Sequence, residues 1–228
     1  MKVKLLSALV CGSMIFSSCN MSNTAKGGLI GAGGGAVLGA VVGKLAGNTA
    51  VGAAVGTAVG AGAGVLIGKK MDKAKAAAAA AAQNAKVETI TDANGLEAVK
   101  VTFDNGILFN TGKYALQPSA QTELRNFANK VLNVYTDCDV AIRGFASSDG
   151  SEQTNLTLSQ NRANSVRNYL TGTCGVSSRQ IKEATGYGET NLVLNANGTE
   201  NAAASRRVEV YLYASKEMIN AANAGTLK

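Results

Sequence analysis

The chain has 228 residues, with 22 lysines and arginines against 15 acids, no histidine, no tryptophan, one proline and 27 glycines. That length accommodates one ordinary domain with an extension, and the lack of histidine removes Ser-His-Asp and Cys-His catalysis together with most zinc sites. Residues 1–87 hold nine basic residues and one acid, Asp72, while residues 88–228 hold 13 basic and 14 acidic ones. The positive excess therefore lies in a Gly/Ala-rich front end and not on a folded basic stripe with aromatics, so no nucleic-acid partner is expected.

Met1–Lys4 is a short basic region, and Leu5 to Phe16 is an apolar stretch too short to cross a bilayer. With Ser17-Ser18-Cys19 closing it, the segment reads as a secretory signal. It resembles a bacterial lipoprotein signal, which implies cleavage before Cys19, lipidation of that cysteine and a signal peptide of residues 1–18. Asn20 after the cysteine favours outer-membrane sorting in that family. Cys11 is a rival acceptor, but Val10 beside it suits cleavage poorly. An ordinary signal peptide in which Cys19 is incidental is the other reading. Residues 19–26 then form the lipidated tether.

Glycines recur at 27, 31, 35, 39, 43 and 47, and again at 52, 56, 60, 64 and 68. A four-residue period sets one glycine per helical turn and lets helices approach closely in lipid. Each run is about 20 residues, roughly the span of a hydrocarbon core as helix. Asn48-Thr49 reads as the turn, so residues 27–69 are expected to form a helical hairpin in or on the membrane. The segment resembles the glycine zippers of bacterial envelope proteins. Packing of the same ladder between several chains is the rival reading. A dinucleotide loop at Gly31-Ala32-Gly33 lacks a preceding strand. Lys26 before the hairpin and Lys69, Lys70, Lys73 and Lys75 after it place both open ends on one side.

Residues 70–86, with Ala76 to Ala82 unbroken, predict a helical spacer, and the domain boundary is placed after Lys86. Beyond it the patterns become those of an ordinary domain. Val99–Phe103 alternates as a strand, and Pro118 opens a helix with Leu124, Phe127, Ala128, Val131 and Leu132 on one face. Val140–Ile142 is a short strand ended by Gly144. A second helix runs from about Ser151 to Leu170, with Leu158, Ala163, Val166 and Leu170 inward. Lys182–Gly188 and Val208–Leu212 predict two more strands. Strands alternating with helices give an α/β sandwich with a small, at least partly parallel sheet.

Leu108-Phe109-Asn110-Thr111-Gly112 with Leu116-Gln117-Pro118 resembles the first loop of the OmpA-like peptidoglycan-binding domain. Gly144-Phe145-Ala146-Ser147-Ser148-Asp149-Gly150, then Asn155, Leu158-Ser159 and Arg162-Ala163, is similar to that family's central motif. Gly186-Tyr187-Gly188-Glu189 and Ser205-Arg206-Arg207-Val208-Glu209 are similar to its closing motifs. The resemblance covers roughly residues 98–214. It implies an α/β (α+β) sandwich of OmpA-like type, βαβαβ(β), with a small mixed sheet and two main helices, preceded by the glycine-zipper hairpin.

It also implies binding of the peptide stem of peptidoglycan, where an Asp and an Arg grip the zwitterionic end of diaminopimelate. Guanidinium forks take carboxylates bidentately, and a carboxylate pairs with the ammonium. Arg162 carries over, with a purely structural arginine as its alternative. The acid position is Ser147, and the nearest acid is Asp149, which either swings in or caps the following helix; the other outcomes of this departure are a domain that reads a different part of the stem or one that has lost wall binding. The expected wall-binding set is Arg162, Asp149, Ser147, Asn155, Asn110 and Thr111. Arg206 and Arg207 are expected to pair with acids near the last strand. Cys138 and Cys174 fall at one pole of the sheet and form a possible disulfide.

The sequence thus predicts a non-catalytic, lipid-anchored outer-membrane protein whose domain at 87–228 lies in the periplasm and binds peptidoglycan, with no cofactor and no metal. The alternative is a glycine-zipper homo-oligomer, pore or scaffold, whose domain binds a protein partner.

Overall fold

The computed structural model describes residues 61–91 and 97–227. The expected signal, the Cys19 tether and the ladder up to residue 60 lie outside the described residues. In chain order the elements are α1 (Ala61–Ala81), β1 (Ala85–Thr91), β2 (Glu97–Asp104), α2 (Asn105–Leu108), α3 (Pro118–Phe127), a π-helical turn (Ala128–Leu132) and β3 (Cys138–Phe145). Then come α4 (Glu152–Gly172), β4 (Ile181–Gly186), α5 (Ala202–Ser205), β5 (Arg207–Ala214) and α6 (Lys216–Asn223). The sheet order is β1-β2-β5-β3-β4. Only β3 and β4, joined by the α4 crossover, run parallel; the other neighbours are antiparallel. This is the mixed α/β sandwich the alternating patterns predict.

Alternation along each strand puts Val99, Val101 and Phe103, Val140 and Ile142, and Val208, Val210 and Leu212 in the buried core. Leu124, Phe127, Ala128, Val131 and Leu132 are all buried, and Phe127 meets Phe103 edge-on at a centroid distance of 5.7 Å. In α4 the inward residues include Ala163, Val166 and Leu170, but Leu158 is only half-buried. The inward stripe near the start of α4 is instead polar: Asn155, Ser159 and Arg162. It is polar because the helix there lies against strand ends and loops whose backbone needs partners. A Cβ at Gly144 would come within 2.2 Å of the Ser159 carbonyl oxygen, and one at Gly186 within 2.1 Å of the Gln160 nitrogen. The two glycines let α4 seat directly on β3 and β4.

The alanine segment does not stand off as a spacer. Ile67, Met71, Ala74, Ala78 and Ala81 form a buried stripe on α1 and join the same core as the sheet. The boundary expected after residue 86 is therefore corrected: the folded unit includes α1 and, with it, residues 61–69 of the expected hairpin. Alanine's small side chain is what lets this helix lie close on β1, β2 and α6. Among the described residues no helix is long and apolar enough to cross a membrane. The expected disulfide is likewise not formed. Cys138 and Cys174 are buried free thiols that pack as small apolar core residues, and burial pushes the Cys138 thiol up to about 12.

Contacts along α1 define two poles of the sheet. At its start, Gly68 faces Glu97, the first residue of β2, and Lys70 pairs with Asp137, just before β3. At its end, the Asn84 amide donates to Glu123, and Ala85 pairs with Phe103 near the end of β2. Asp104, Arg207 and Phe145 are in register at that second pole. An eight-residue strand separates the poles by roughly 25 Å.

Candidate functional site at the loop pole

The loop after β3 and the start of α4 meet the loop after α2 at the second pole. Arg162, on the polar stripe of α4, is 1% exposed. Its Nε–H donates to the Lys113 carbonyl at 3.1 Å, and its guanidinium carbon lies 5.4 Å from the Phe109 ring centre. Nη1 is buried without a hydrogen-bond partner. Burial, with a smaller contribution from Arg206, pulls Arg162 down to about 10. A guanidinium held at such a cost favours an anion more than it favours losing its proton.

In the β3–α4 loop, the Ser147 hydroxyl donates to Asp149 Oδ2 at 2.9 Å. Arg206 reaches across from the end of α5, donating to Asp149 Oδ2 at 3.1 Å and to Ser147 Oγ at 3.3 Å. Asn155 Nδ2 binds the carbonyls of Ser147 and Asp149, each at 3.0 Å, and Glu189 Oε2 at 3.1 Å. Glu200 accepts from the Ser148 amide and hydroxyl, and that hydroxyl is the main reason its carboxyl lies below the ordinary value. Gly150, at a φ of 100°, turns the loop into α4, whose cap is Ser151, accepting from the Thr154 amide. Capping thus falls to Ser151, and Asp149, its side chain 76% exposed, points to Arg206 and solvent. Beside this loop an open cleft of about 310 Å³ runs between Gly112 and Tyr114 on one side and Gln153, Thr154, Thr157 and Leu158 of α4 on the other.

Residues 108–207 match the OmpA family, and residues 1–72 match the YMGG-like Gly-zipper family. Over residues 108–207 the chain is thus similar to the OmpA family. It is 32% identical over 122 residues to Outer membrane porin F of Pseudomonas aeruginosa, covering 52% of this chain and 34% of that protein. It is 33% identical over 108 residues to the protein named "Probable lipoprotein YiaD" of Escherichia coli, covering 47% of this chain and 48% of that one. The chain thus spans half or less of the length of these two relatives. In fold it matches a MotB-like protein from Desulfovibrio vulgaris with a TM-score of 0.53 and 21% identity, covering 64% of this chain and 93% of that one.

Within the residues similar to the OmpA family, Arg162, Ser147, Asp149 and Asn155 lie toward one pole. Asn110 and Thr111 lie exposed in the neighbouring loop, where the Asn110 carbonyl accepts from the Lys113 amide. Arg207 pairs with Glu209 at 2.8 Å and lies over Phe145. Arg206, expected to act only as a partner for acids near the last strand, instead joins the β3–α4 loop as a site residue. Glu189 and Glu200 were not among the expected residues. Glu189 stands in the quoted closing motif, so proximity to Gly186 was its available signal; Glu200 comes from the long β4–β5 connection, which carries none. Among the described residues no group of three or more acids or cysteines could hold a metal ion.

Proposed function

We propose that this chain is a non-catalytic envelope lipoprotein that anchors the outer membrane to peptidoglycan. In this reading Cys19 carries the lipid, the glycine ladder reinforces the anchor and the OmpA-like domain grips the peptide stem from the periplasm. The observation that carries it is the buried Arg162 with Nη1 unpartnered, within electrostatic reach of the Arg206 that pairs with Asp149. A zwitterion fits that pair of charges: its carboxylate takes Arg162, and its ammonium takes Asp149. The Asp149 carboxylate accepts from the Ser147 hydroxyl, the residue that stands where the family resemblance expects an acid, and this supports Asp149 as its substitute. The Arg206–Asp149 pair is solvent-exposed and worth at most about 1 kcal/mol, so a ligand opens it at little cost. The relatives' names, an outer-membrane porin and a lipoprotein, support the envelope setting.

The test is co-sedimentation of the full chain, in mild detergent, with purified peptidoglycan. Arg162→Ala should lose a charge-assisted bidentate contact and weaken binding at least tenfold, and Asp149→Ala should weaken it less. Arg162→Lys, which keeps the charge but not the fork, should fall between wild type and Arg162→Ala. Wild-type chain left in the supernatant would end the wall-binding reading and turn attention to a protein partner.

A further inference from the structure

The opposite pole carries a surface of different chemistry. Leu66, Lys69, Lys70 and Lys73 recur at the helical spacing of one face of α1. With Val134, Tyr135 and Leu227 they line an open cleft of about 360 Å³. Val134 is 61% exposed, and Val65, next to Leu66 in sequence, is 57% exposed. Apolar side chains set among exposed lysines and a half-buried tyrosine are the composition of a surface that rests in a lipid headgroup layer. Lys70 is paired with Asp137. The other acids toward this pole are Asp72, which lies off the lysine face of the helix, Glu97, beside Gly68, Asp139, paired with Lys182, and Glu217, in the first turn of α6. Lys69 and Lys73 lie on the lysine face beside the cleft.

We propose that this cleft docks the domain directly on an anionic bilayer surface. The occupant follows from where the rest of the chain arrives. The 60 residues before α1 enter the domain at Ala61, less than two helical turns from Leu66, and they contain the apolar ladder. With no free spacer between ladder and domain, a membrane that holds the ladder lies against this pole. Lysines there complement acidic headgroups, each worth about a fivefold change in partition. The proposal rests on the membrane half of the reading above and is independent of wall binding.

The chain contains no tryptophan, so Val134→Trp in the full lipidated chain gives a single emitter at the cleft, far in sequence from the anchor. It is reconstituted in phosphatidylethanolamine vesicles, with or without phosphatidylglycerol, whose acyl chains are brominated. In the acidic vesicles the emission should move to the blue and be quenched. Replacing Lys69 and Lys73 by Gln should shift docking about thirtyfold and abolish most of the quenching. The separate variant Tyr114→Trp, with its emitter at the loop pole, should stay unquenched. A chain that floats with vesicles while the Val134→Trp emitter remains unquenched overturns docking and leaves the anchor standing. A blue shift that is equal in detergent means the ladder or a second copy fills the cleft, which also overturns it. Quenching of the Tyr114→Trp variant to the same degree overturns the polar orientation, and a chain that never floats overturns both docking and the membrane reading.

Discussion

At the scale of single residues, the site loop is held by a carboxylate that no motif announces. Glu200 keeps a folded-state pKa below the ordinary value of 4.5, chiefly because the Ser148 hydroxyl binds it. A carboxyl lowered on folding contributes stability above its unfolded pKa, and that contribution is lost as the pH falls through the folded value. The Ser148 amide should therefore be protected from hydrogen exchange at neutral pH and lose protection only once the pH is taken below 4.5. In Glu200→Ala it should be unprotected at every pH, and an amide equally protected in the variant would remove the latch. Arg162 was legible because its place after Leu158-Ser159 carries a recognisable spacing. Arg206 was only half-legible: its position was clear, but its direction depends on Asn201 capping α5 and turning the chain toward Asp149.

At the scale of elements, period and contrast decide what can be read. The alternation in β2 and β5 and the 3.6-residue stripe in α3 stand out because apolar and polar side chains differ sharply along them. The stripe of α1 does not: Ile67 and Met71 begin it, but Ala74, Ala78 and Ala81 continue it into a run made almost wholly of alanine. A face made of the same residue as its surroundings has no contrast, so the helix reads as a rod. The start of β1 was absorbed into that rod, although Asn94-Gly95 between two alternating stretches is a hairpin signal. Core membership of α1 has a direct consequence. Ile67→Ala should cost about 3 kcal/mol, read as a lower urea midpoint of the full chain, because a fully buried side chain leaves a cavity. A free spacer would give no change.

At the scale of the whole molecule, the two poles separate two chemistries: lysines and apolar side chains where the ladder arrives, and a buried arginine with an exposed acid where α4 begins. A tether needs one chain per wall contact, whereas a pore or scaffold needs a fixed multiple assembled through the ladder. Chain stoichiometry in mild detergent, measured by light scattering, is expected to be one. A constant higher number would favour the assembly reading instead.

The course of α1 also sets how the domain bears load. With the domain held at Arg162, as proposed, tension entering at Ala61 acts along the helix axis against the far end of the sheet. The contacts of Ile67, Met71, Ala74 and Ala78 are then strained together, in shear, and cannot be peeled away one at a time. Force continues from the end of α1 into β1 and across its hydrogen bonds to β2, again lengthwise. Built this way, the domain should yield under pulling as one unit and at high force, as the proposed tether would require.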